Sequence, residues 1–565
     1  MNYLENYRYW CDAQLPADIK KELLALEKNE EELKGSFGSD LQFGTAGMRG
    51  IMGIGSNRLN VYTVRRAAQG MAAWLASTDH PQKAAIGYDS RHNSKLFAQV
   101  CAVAFAENGI HTWLYDRLAP TPMLSFAVRE LGCGCGIVIS ASHNAGEYNG
   151  VKCYGPDGCQ MTDEPAAIVT EMIAKIPYFV SPVKSFADYM QDGMISYIGQ
   201  DIWEKYYQTV LAEAVMPEMI PNSGLNIVYT PLCGTGNEPV REVLGRLGVN
   251  ITVVACQEMP DGDFKTCEYP NPETDAALNE SYKVAETVPC DLILGTDPDA
   301  DRVAIAVPDN CGGYQKLSGN ELGCLLLDYI LRTRSQKGDI PEGAIAVRSI
   351  VSSPLADRIA EKYGISMRTV LTGFKYIGGE ILKLEAVGQE NKFIFGFEES
   401  CGYLKGTYAR DKDAIVASML VCELAAWLKL QGKTILDALH EMYAVNGHYL
   451  AYVQSVELTG SDAMEKAAKI MIDLRESIPE TIGGARITVV NDYRAGTSKK
   501  LTDNTESAID LPSSNVLEFI LGDKGSVIVR PSGTEPKVKF YYTAIAKDKA
   551  SAKILLDALT AQMSK

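Results

Sequence analysis

Three stretches far apart in the chain each carry side chains that hold a phosphate or the metal that accompanies one. The first, SASHNAGEYNG at residues 140–150, follows an apolar run at 136–139 and presents Ser142 and His143, with Lys152 just beyond. A serine hydroxyl is a weak nucleophile until a base or a metal assists it. The second, GTDPDADRVAIAV at 295–307, sets carboxylates at alternate positions, Asp297, Asp299 and Asp301, a donor set suited to a hard divalent cation. An EF-hand opens in the same way, but it requires glycine at its sixth position and glutamate at its twelfth, where this loop has Arg302 and Pro308. The third, RPSGTEPK at 530–537, offers the fork of Arg530, the hydroxyls of Ser532 and Thr534, and a glycine, Gly533, that lets backbone N–H groups approach an anion. Brought together, a nucleophile, a cation cage and an anion clamp would form a phosphoryl-transfer site.

Each stretch also has a plainer reading. Ser142 with Asn144 alone is ordinary turn chemistry, and the third stretch alone is a polar loop. Glu398 and Glu399 in GFEESCGY are either a solvated turn or acceptors for sugar hydroxyls, since an ionised carboxylate only accepts. Lys375 in TGFKYIG and Lys412 in RDKDA are either exposed lysines or phosphate contacts. The context Ala141-Ser142-His143 lacks the Gly-x-Ser-x-Gly of a hydrolase elbow. Gly47, Gly50, Gly53 and Gly55 do not meet the dinucleotide fingerprint, and no Walker A loop is present.

These motifs must be positioned by the elements between them. Short β runs alternate with helical stretches: 84–86 leads into GYDSR, 136–139 into the serine loop, 226–229 into TPLCGTG, 292–294 into the aspartate loop, 344–347 into RSIVSS and 393–395 into GFEESCGY. Apolar strands that end in Gly/Ser/Asp loops before helices are the signature of α/β layers, whose ligands gather at the strand ends. The unit recurs about three times, at roughly 40–190, 206–315 and 320–440. An amphipathic helix is expected at 18–34 and another at about 61–76; after about residue 446, alternating runs predict antiparallel strands and a final helix from Ser551.

A chain of 565 residues is too long for one core, and length alone suggests about three to five domains. The 14 cysteines are scattered without zinc-knuckle spacing, so buried free thiols are expected. A net charge of −17 argues against nucleic-acid binding, which needs a basic surface. With neither a signal-peptide pattern nor a membrane-length apolar run, a cytoplasmic protein with no membrane partner is expected.

In this order, FGTAGMRG, SASHNAGEYNG, GTDPDADR, GFEESCGY and RPSGTEP resemble the α-D-phosphohexomutase family, most nearly its phosphoglucomutases and phosphomannomutases, over about residues 41–544. The resemblance implies three similar α/β domains with mixed sheets plus a C-terminal α+β domain around a central cleft: 1–205 with the phosphoserine loop, 206–316 with the metal loop, 317–445 with the sugar loop and 446–565 with the phosphate loop. It implies reversible interconversion of hexose 1- and 6-phosphates, with Mg2+ and glucose 1,6-bisphosphate as cofactor and intermediate. Ser142 would carry the phosphate and complete the metal shell of Asp297, Asp299 and Asp301. Arg49 and Arg302 would lie near them, with His143 beside the nucleophile and Lys152 as acid/base. Cationic neighbours such as Arg49 and Arg302 are expected to lower the Lys152 pKa. Thr372, Gly373, Glu398 and Ser400 would meet the sugar, and Arg530, Ser532, Gly533 and Thr534, helped by Lys412, the second phosphate. Asn144-Ala145-Gly146 departs from members with proline after the asparagine, and Glu398-Glu399-Ser400-Cys401-Gly402 is closer to glucose-type members than to mannose/glucose forms ending in Gly-His, with phosphomannomutase or phosphopentomutase activity as the alternative within the family. A phosphatase or a non-catalytic phosphosugar-binding protein is the alternative, and monomer or homodimer stays open.

Overall fold

The structure is a computed structural model and describes residues 2–44, 47–309, 311–458, 463–532 and 537–563. Among these, one topological unit recurs three times. In the first sheet Lys83–Tyr88 lies between His111–Tyr115 and Cys135–Ile139, all parallel, and Tyr148–Tyr154 continues the sheet antiparallel. Asn226–Thr230 lies likewise between Asn250–Val253 and Leu292–Thr296, followed by antiparallel Val303–Pro308. Ile345–Ser349 lies between Ser366–Val370 and Phe393–Glu398, followed by antiparallel Gly402–Leu404. The third parallel strand is buried along its whole length in every unit, as its near-continuous apolar sequence requires for a strand covered on both faces. The hairpin from that strand to the antiparallel one ends each unit, and its three tips are the serine loop, the aspartate loop and the sugar loop.

The fourth sheet is antiparallel throughout, in the order His448–Glu457, Lys537–Ala546, Gly525–Pro531, Leu517–Ile520, Val489–Asp492, Thr497–Lys500, Glu506–Ala508, with the helix Lys549–Met563 against it. This is the three-plus-one architecture of α/β units and an α+β domain. A small apolar cluster, including Ile350, Val351 and Leu371 of the third unit and Tyr493, Ile528 and Tyr541 of the fourth, seats one on the other.

Two local expectations differ from what forms. The helix Val61–Ala76 has the expected bounds, closed by Asn60 as N-cap. The helix expected over 18–34 is instead Ala17–Ala25 and Glu30–Phe37 with a 3-10 turn between them. Asn29 takes an extended backbone and its side chain accepts from the Glu32 N–H, so it starts a new helix where periodicity alone suggested continuation. Of the alternating runs expected to form strands after about residue 446, the one at 486–490 is split: Ala485–Arg486 pairs in a separate hairpin, and Val489–Asp492 joins the large sheet.

One helix ties the units together. Ala414–Lys429 is apolar nearly all round and almost wholly buried, and packs on Met219–Ser223, Asn237–Arg246 and the strands flanking the aspartate loop. Its N-cap, Asp413, accepts from Tyr206 Oη at 2.7 Å, Tyr408 Oη at 2.6 Å and the Ile415 N–H at 2.8 Å. Within the helix, fully buried Glu423 receives the Val215 N–H at 3.0 and 3.1 Å and the Met216 N–H at 3.3 Å, fixing the chain as it enters the second unit. Burial, opposed by those N–H groups, pushes the Glu423 carboxyl up from 4.5 to about 7. The folded protein thus holds this proton more tightly than the unfolded chain, and the stability it confers is complete below pH 4.5 and lost as pH rises through about 7. Glu423→Gln keeps an acceptor oxygen and removes the titration. Urea midpoints measured from pH 5 to 8 are expected to fall less with rising pH in the variant than in the parent chain.

Candidate active site

The serine loop turns between Cys135–Ile139 and Tyr148–Tyr154, at the carboxyl end of a central parallel strand, where α/β sheets bind ligands. Ser142 is buried, with φ 52°. Such a backbone costs a non-glycine residue about 1–3 kcal/mol and persists where surroundings over-determine it. Ala300 (φ 51°) and Cys401 (φ 59°) take the same conformation in the other two hairpin tips. The Ser142 amide donates to Ser140 Oγ at 2.8 Å, which leaves Ser142 Oγ 2.7 Å from Asp297 Oδ2 and 3.2 Å from His143 Nδ1. Burial, then the charges of Arg302 and Arg49, hold the His143 imidazole well below its ordinary pKa, so it is neutral at pH 7. Arg49, on the strand Gly47–Ile51, reaches Asn144 Oδ1 with Nη1 at 2.9 Å.

Asp297, Asp299 and Asp301 are all buried, and one oxygen from each lies within 4.8 Å of the others. Around one octahedral magnesium, with bonds of about 2.1 Å, oxygens stand about 3–4 Å apart, so small side-chain adjustments suffice. Asp299 Oδ1 and Asp301 Oδ1 are buried without a hydrogen-bond partner, as open ligand atoms should be. The trio fits a hard dication, and Ser142 Oγ lies at its edge. Lys152 Nζ donates to Asp299 Oδ2 at 2.5 Å and Asp301 Oδ2 at 3.3 Å, and Lys412 Nζ lies 3.2 Å from Asp301 Oδ2. Burial and the neighbouring carboxylates push the Asp297 carboxyl well above the usual range. Burial acts in the same sense on Asp299 and Asp301, but Lys152 at the first, and Lys412 with Lys152 at the second, outweigh it and hold both low.

Lys152 differs from expectation in sign. Burial does work to lower its pKa, but Asp299 and Asp301 overcome it and the ammonium is stabilised. Arg302 Nη1 meets Glu273 Oε1 at 2.6 Å, and its Nε lies 3.7 Å from Asp301 Oδ1.

The sugar-loop residues converge on the same side. Glu398 is buried, accepts the Gly373 N–H at 2.7 Å, and has its carboxyl raised by burial. Thr372 Oγ1 is buried without a hydrogen-bond partner, and Ser400 sits half-buried at the hairpin tip. Glu399 receives the Ser349 hydroxyl at 3.3 Å and is pushed up to about 7 by burial and then by Glu398. Arg530 lies opposite Lys539 in the fourth sheet. Tyr541, beside Arg530, is pushed up to about 12 by burial and then by the charge of Glu399. The Ser532 amide donates to the Lys537 carbonyl at 2.8 Å. Gly533 and Thr534 lie outside the described residues. Lys375 pairs with Asp163 at 2.7 Å, bridging the first and third units.

Residues given no role from the sequence complete the site. Thr121, at the start of the helix Thr121–Glu130, donates Oγ1 to Asp299 Oδ2 at 2.8 Å and its amide to the Asp299 carbonyl at 2.9 Å. Asp411 receives Tyr154 Oη at 2.8 Å and Gln160 Nε2 at 3.0 Å, and lies 3.2 Å from Lys412 Nζ. Arg91 grips the serine loop from beneath. The visible signal for Arg91 and Thr121 was position: each lies just past the carboxyl end of a parallel strand.

Losing such an outer partner costs a metal site about 10–100-fold in affinity. Thr121→Val preserves shape and removes the hydroxyl. Calorimetric titration with Mg2+ is expected to show weaker binding by at least about tenfold, with the fold retained.

Models for the four domains of one family match in order. Phosphoglucomutase/phosphomannomutase alpha/beta/alpha domains I, II and III match residues 40–178, 204–312 and 318–445, and the C-terminal domain matches 489–561. A phosphoglucomutase of Staphylococcus epidermidis is 36% identical over 533 residues, covering 94% of this chain and 95% of the relative. One of Staphylococcus haemolyticus is 37% identical over 507 residues, covering 89% and 90%. Among solved structures, a putative phosphomannomutase from Thermus thermophilus superimposes with TM-score 0.68 at 22% identity, over 93% of this chain and 98% of that one. The open form of a Paramecium phosphoglucomutase, parafusin, gives 0.68 at 18%, over 93% and 94%. This chain therefore belongs to the phosphoglucomutase/phosphomannomutase family.

Proposed function

We propose that this chain is a phosphoglucomutase, interconverting α-D-glucose 1-phosphate and glucose 6-phosphate through phosphorylated Ser142 and glucose 1,6-bisphosphate. The observation that carries this is the 2.7 Å between Ser142 Oγ and Asp297 Oδ2, with Lys152 on the other two aspartates. A hydroxyl packed into a carboxylate cluster is ill placed for solvation and well placed for a phosphate whose charge those groups' cations neutralise. The family's relatives named phosphoglucomutase, at 36–37% identity, support glucose.

In the first half-reaction the free hydroxyl oxygen of the sugar bonds to the phosphorus on Ser142 as the bond to Oγ breaks. The bisphosphate turns over, and its other phosphate returns to Ser142. Asp297, Asp299 and Asp301 would hold Mg2+, with the seryl phosphate as a further ligand. When bound, it supplies Lewis-acid neutralisation of the charge that develops on the transferring group. His143 Nδ1 steadies the serine oxygen. Lys152 moves the proton of the sugar hydroxyl. What holds its own proton is the pair Asp299 and Asp301, and a dication bound to those carboxylates would weaken that hold. Glu398, with Gly373, Thr372 and Ser400 around it, orients the sugar hydroxyls in either binding direction. Arg530, Ser532, Gly533 and Thr534, helped by Lys412, hold the phosphate that does not react. The enzyme acts on small phosphosugars in the cytoplasm as a monomer or homodimer; no described helix is long and apolar enough to cross a membrane.

Ser142→Ala is expected to abolish turnover of glucose 1-phosphate in a coupled assay. Intact mass after incubation with glucose 1,6-bisphosphate should show one added phosphoryl group on the parent chain, located at Ser142, and none on the variant. Undiminished turnover in Ser142→Ala refutes the mechanism. Faster turnover of mannose or ribose 1-phosphate refutes the substrate, and phosphate release matching isomer formation would make the protein a phosphatase.

A further inference from the structure

Arg91 follows the strand Lys83–Tyr88 and takes no part in the reaction described above, yet its guanidinium is fully buried beneath the serine loop. There it donates to four main-chain carbonyls. Nη1 reaches Ala145 O at 2.8 Å and Tyr148 O at 2.9 Å, and Nη2 reaches Ser142 O at 2.7 Å and Asn144 O. Nε lies 3.4 Å from Asp89 Oδ2. The other oxygen of Asp89 receives the Arg91 amide at 3.0 Å and Ser94 Oγ at 2.8 Å, so the counter-ion is itself anchored. From the second unit, the Phe264 ring covers the guanidinium, 4.9 Å from centroid to Cζ. The loops meet too closely for a side chain between them, since a Cβ on Gly146 would stand 2.7 Å from the Gly262 carbonyl.

We infer that Arg91 is a positioning residue for phosphoryl transfer: by gathering the carbonyls on both sides of the turn it holds Ser142 in its left-handed backbone, with Oγ aimed at Asp297. The inference rests on the functional reading above. It depends on the shape of the cation as well as its charge. A guanidinium presents five N–H groups in fixed, coplanar directions and spans several acceptors, whereas an ammonium on a flexible stem replaces one or two of these bonds. Without the fork, the carbonyl of Ser142 is free to rotate away and the hydroxyl moves with it. A displacement of about 1 Å at a reacting atom costs about a hundredfold in rate.

The test compares the parent chain with Arg91→Lys, which keeps a cation beside Asp89, and with the double variant Asp89→Asn/Arg91→Met, which removes both buried charges and so avoids an unpaired carboxylate. All are assayed with Mg2+ and glucose 1,6-bisphosphate, and the fraction of chains that accept phosphate at Ser142 is counted by mass. Per phosphorylatable chain, kcat with glucose 1-phosphate is expected to fall about a hundredfold in both, with KM within about threefold. Amide exchange should quicken in the peptide spanning residues 140–150 while peptides of the fourth unit keep their protection. An Arg91→Lys chain with kcat within about twofold of the parent overturns the inference. So does a loss of rate that comes with lost amide protection across the fourth unit, since that is a folding defect. A parent chain that neither turns over nor accepts phosphate is a different result: it overturns the functional reading, and this inference with it.

Discussion

Three carboxylates held within 4.8 Å of one another and away from water cannot be sustained by the loop that bears them. Buried charge of one sign is costly unless opposite charge is brought against it. The aspartate loop has one cation of its own, Arg302, whose Nη1 is turned to Glu273 and whose Nε lies 3.7 Å from Asp301 Oδ1. The closer compensating groups come from outside: Lys152 from the first sheet and Lys412 from the turn that begins the helix Ala414–Lys429. That electrostatic demand is met when the three α/β units close on a common point, and the same closure sets Ser142 Oγ against Asp297. The folding requirement and the chemical arrangement are thus one interaction.

The repeated strand order explains how three unrelated loop sequences reach that point. In each unit the functional loop is the tip of the hairpin that follows the third parallel strand. Each tip holds one non-glycine residue in the left-handed region, Ser142, Ala300 or Cys401. A turn of this kind reverses the chain in few residues and points its side chains across the strand ends. Its strain is offset by buried hydrogen bonds from elements outside the hairpin, such as Arg91 at the serine loop, or the Ala414 amide to the Ala300 carbonyl at the aspartate loop. The backbone carries in common what the side chains do not.

Particular residues show where reading the chain one segment at a time succeeds and where it stops. Val61–Ala76 was legible because its cap and its apolar spacing are both local. The break at Asn29 was not, because Leu33 and Phe37 continue the apolar pattern while the Asn29 side chain takes over the cap of a second helix. Lys375 read as either an exposed lysine or a phosphate contact, and it pairs with Asp163, more than two hundred residues away. Thr121 and Arg91 were invisible as chemistry: Thr121 stands in no quoted stretch and Arg91 ends GYDSR without a role there, because their partners are a carboxylate and a set of carbonyls from other segments.

Sequence by itself determined which groups are available: a hydroxyl at Ser142, alternate carboxylates at Asp297, Asp299 and Asp301, the strand–loop–helix rhythm that places them at strand ends, and the switch to antiparallel strands after the third unit. These are encoded in residue type and short-range spacing, which the backbone's periodicities translate directly. Only the tertiary structure decided the state of those groups. Lys152 is an example: the cations expected near it, Arg49 and Arg302, suggested a lowered pKa, yet the contacts with Asp299 and Asp301 stabilise its charge, because in a buried site the Coulomb interaction follows distance through space. The left-handed turn at Ser142 is another, held by an arginine fifty-one residues earlier whose role exists once the loop is folded over it.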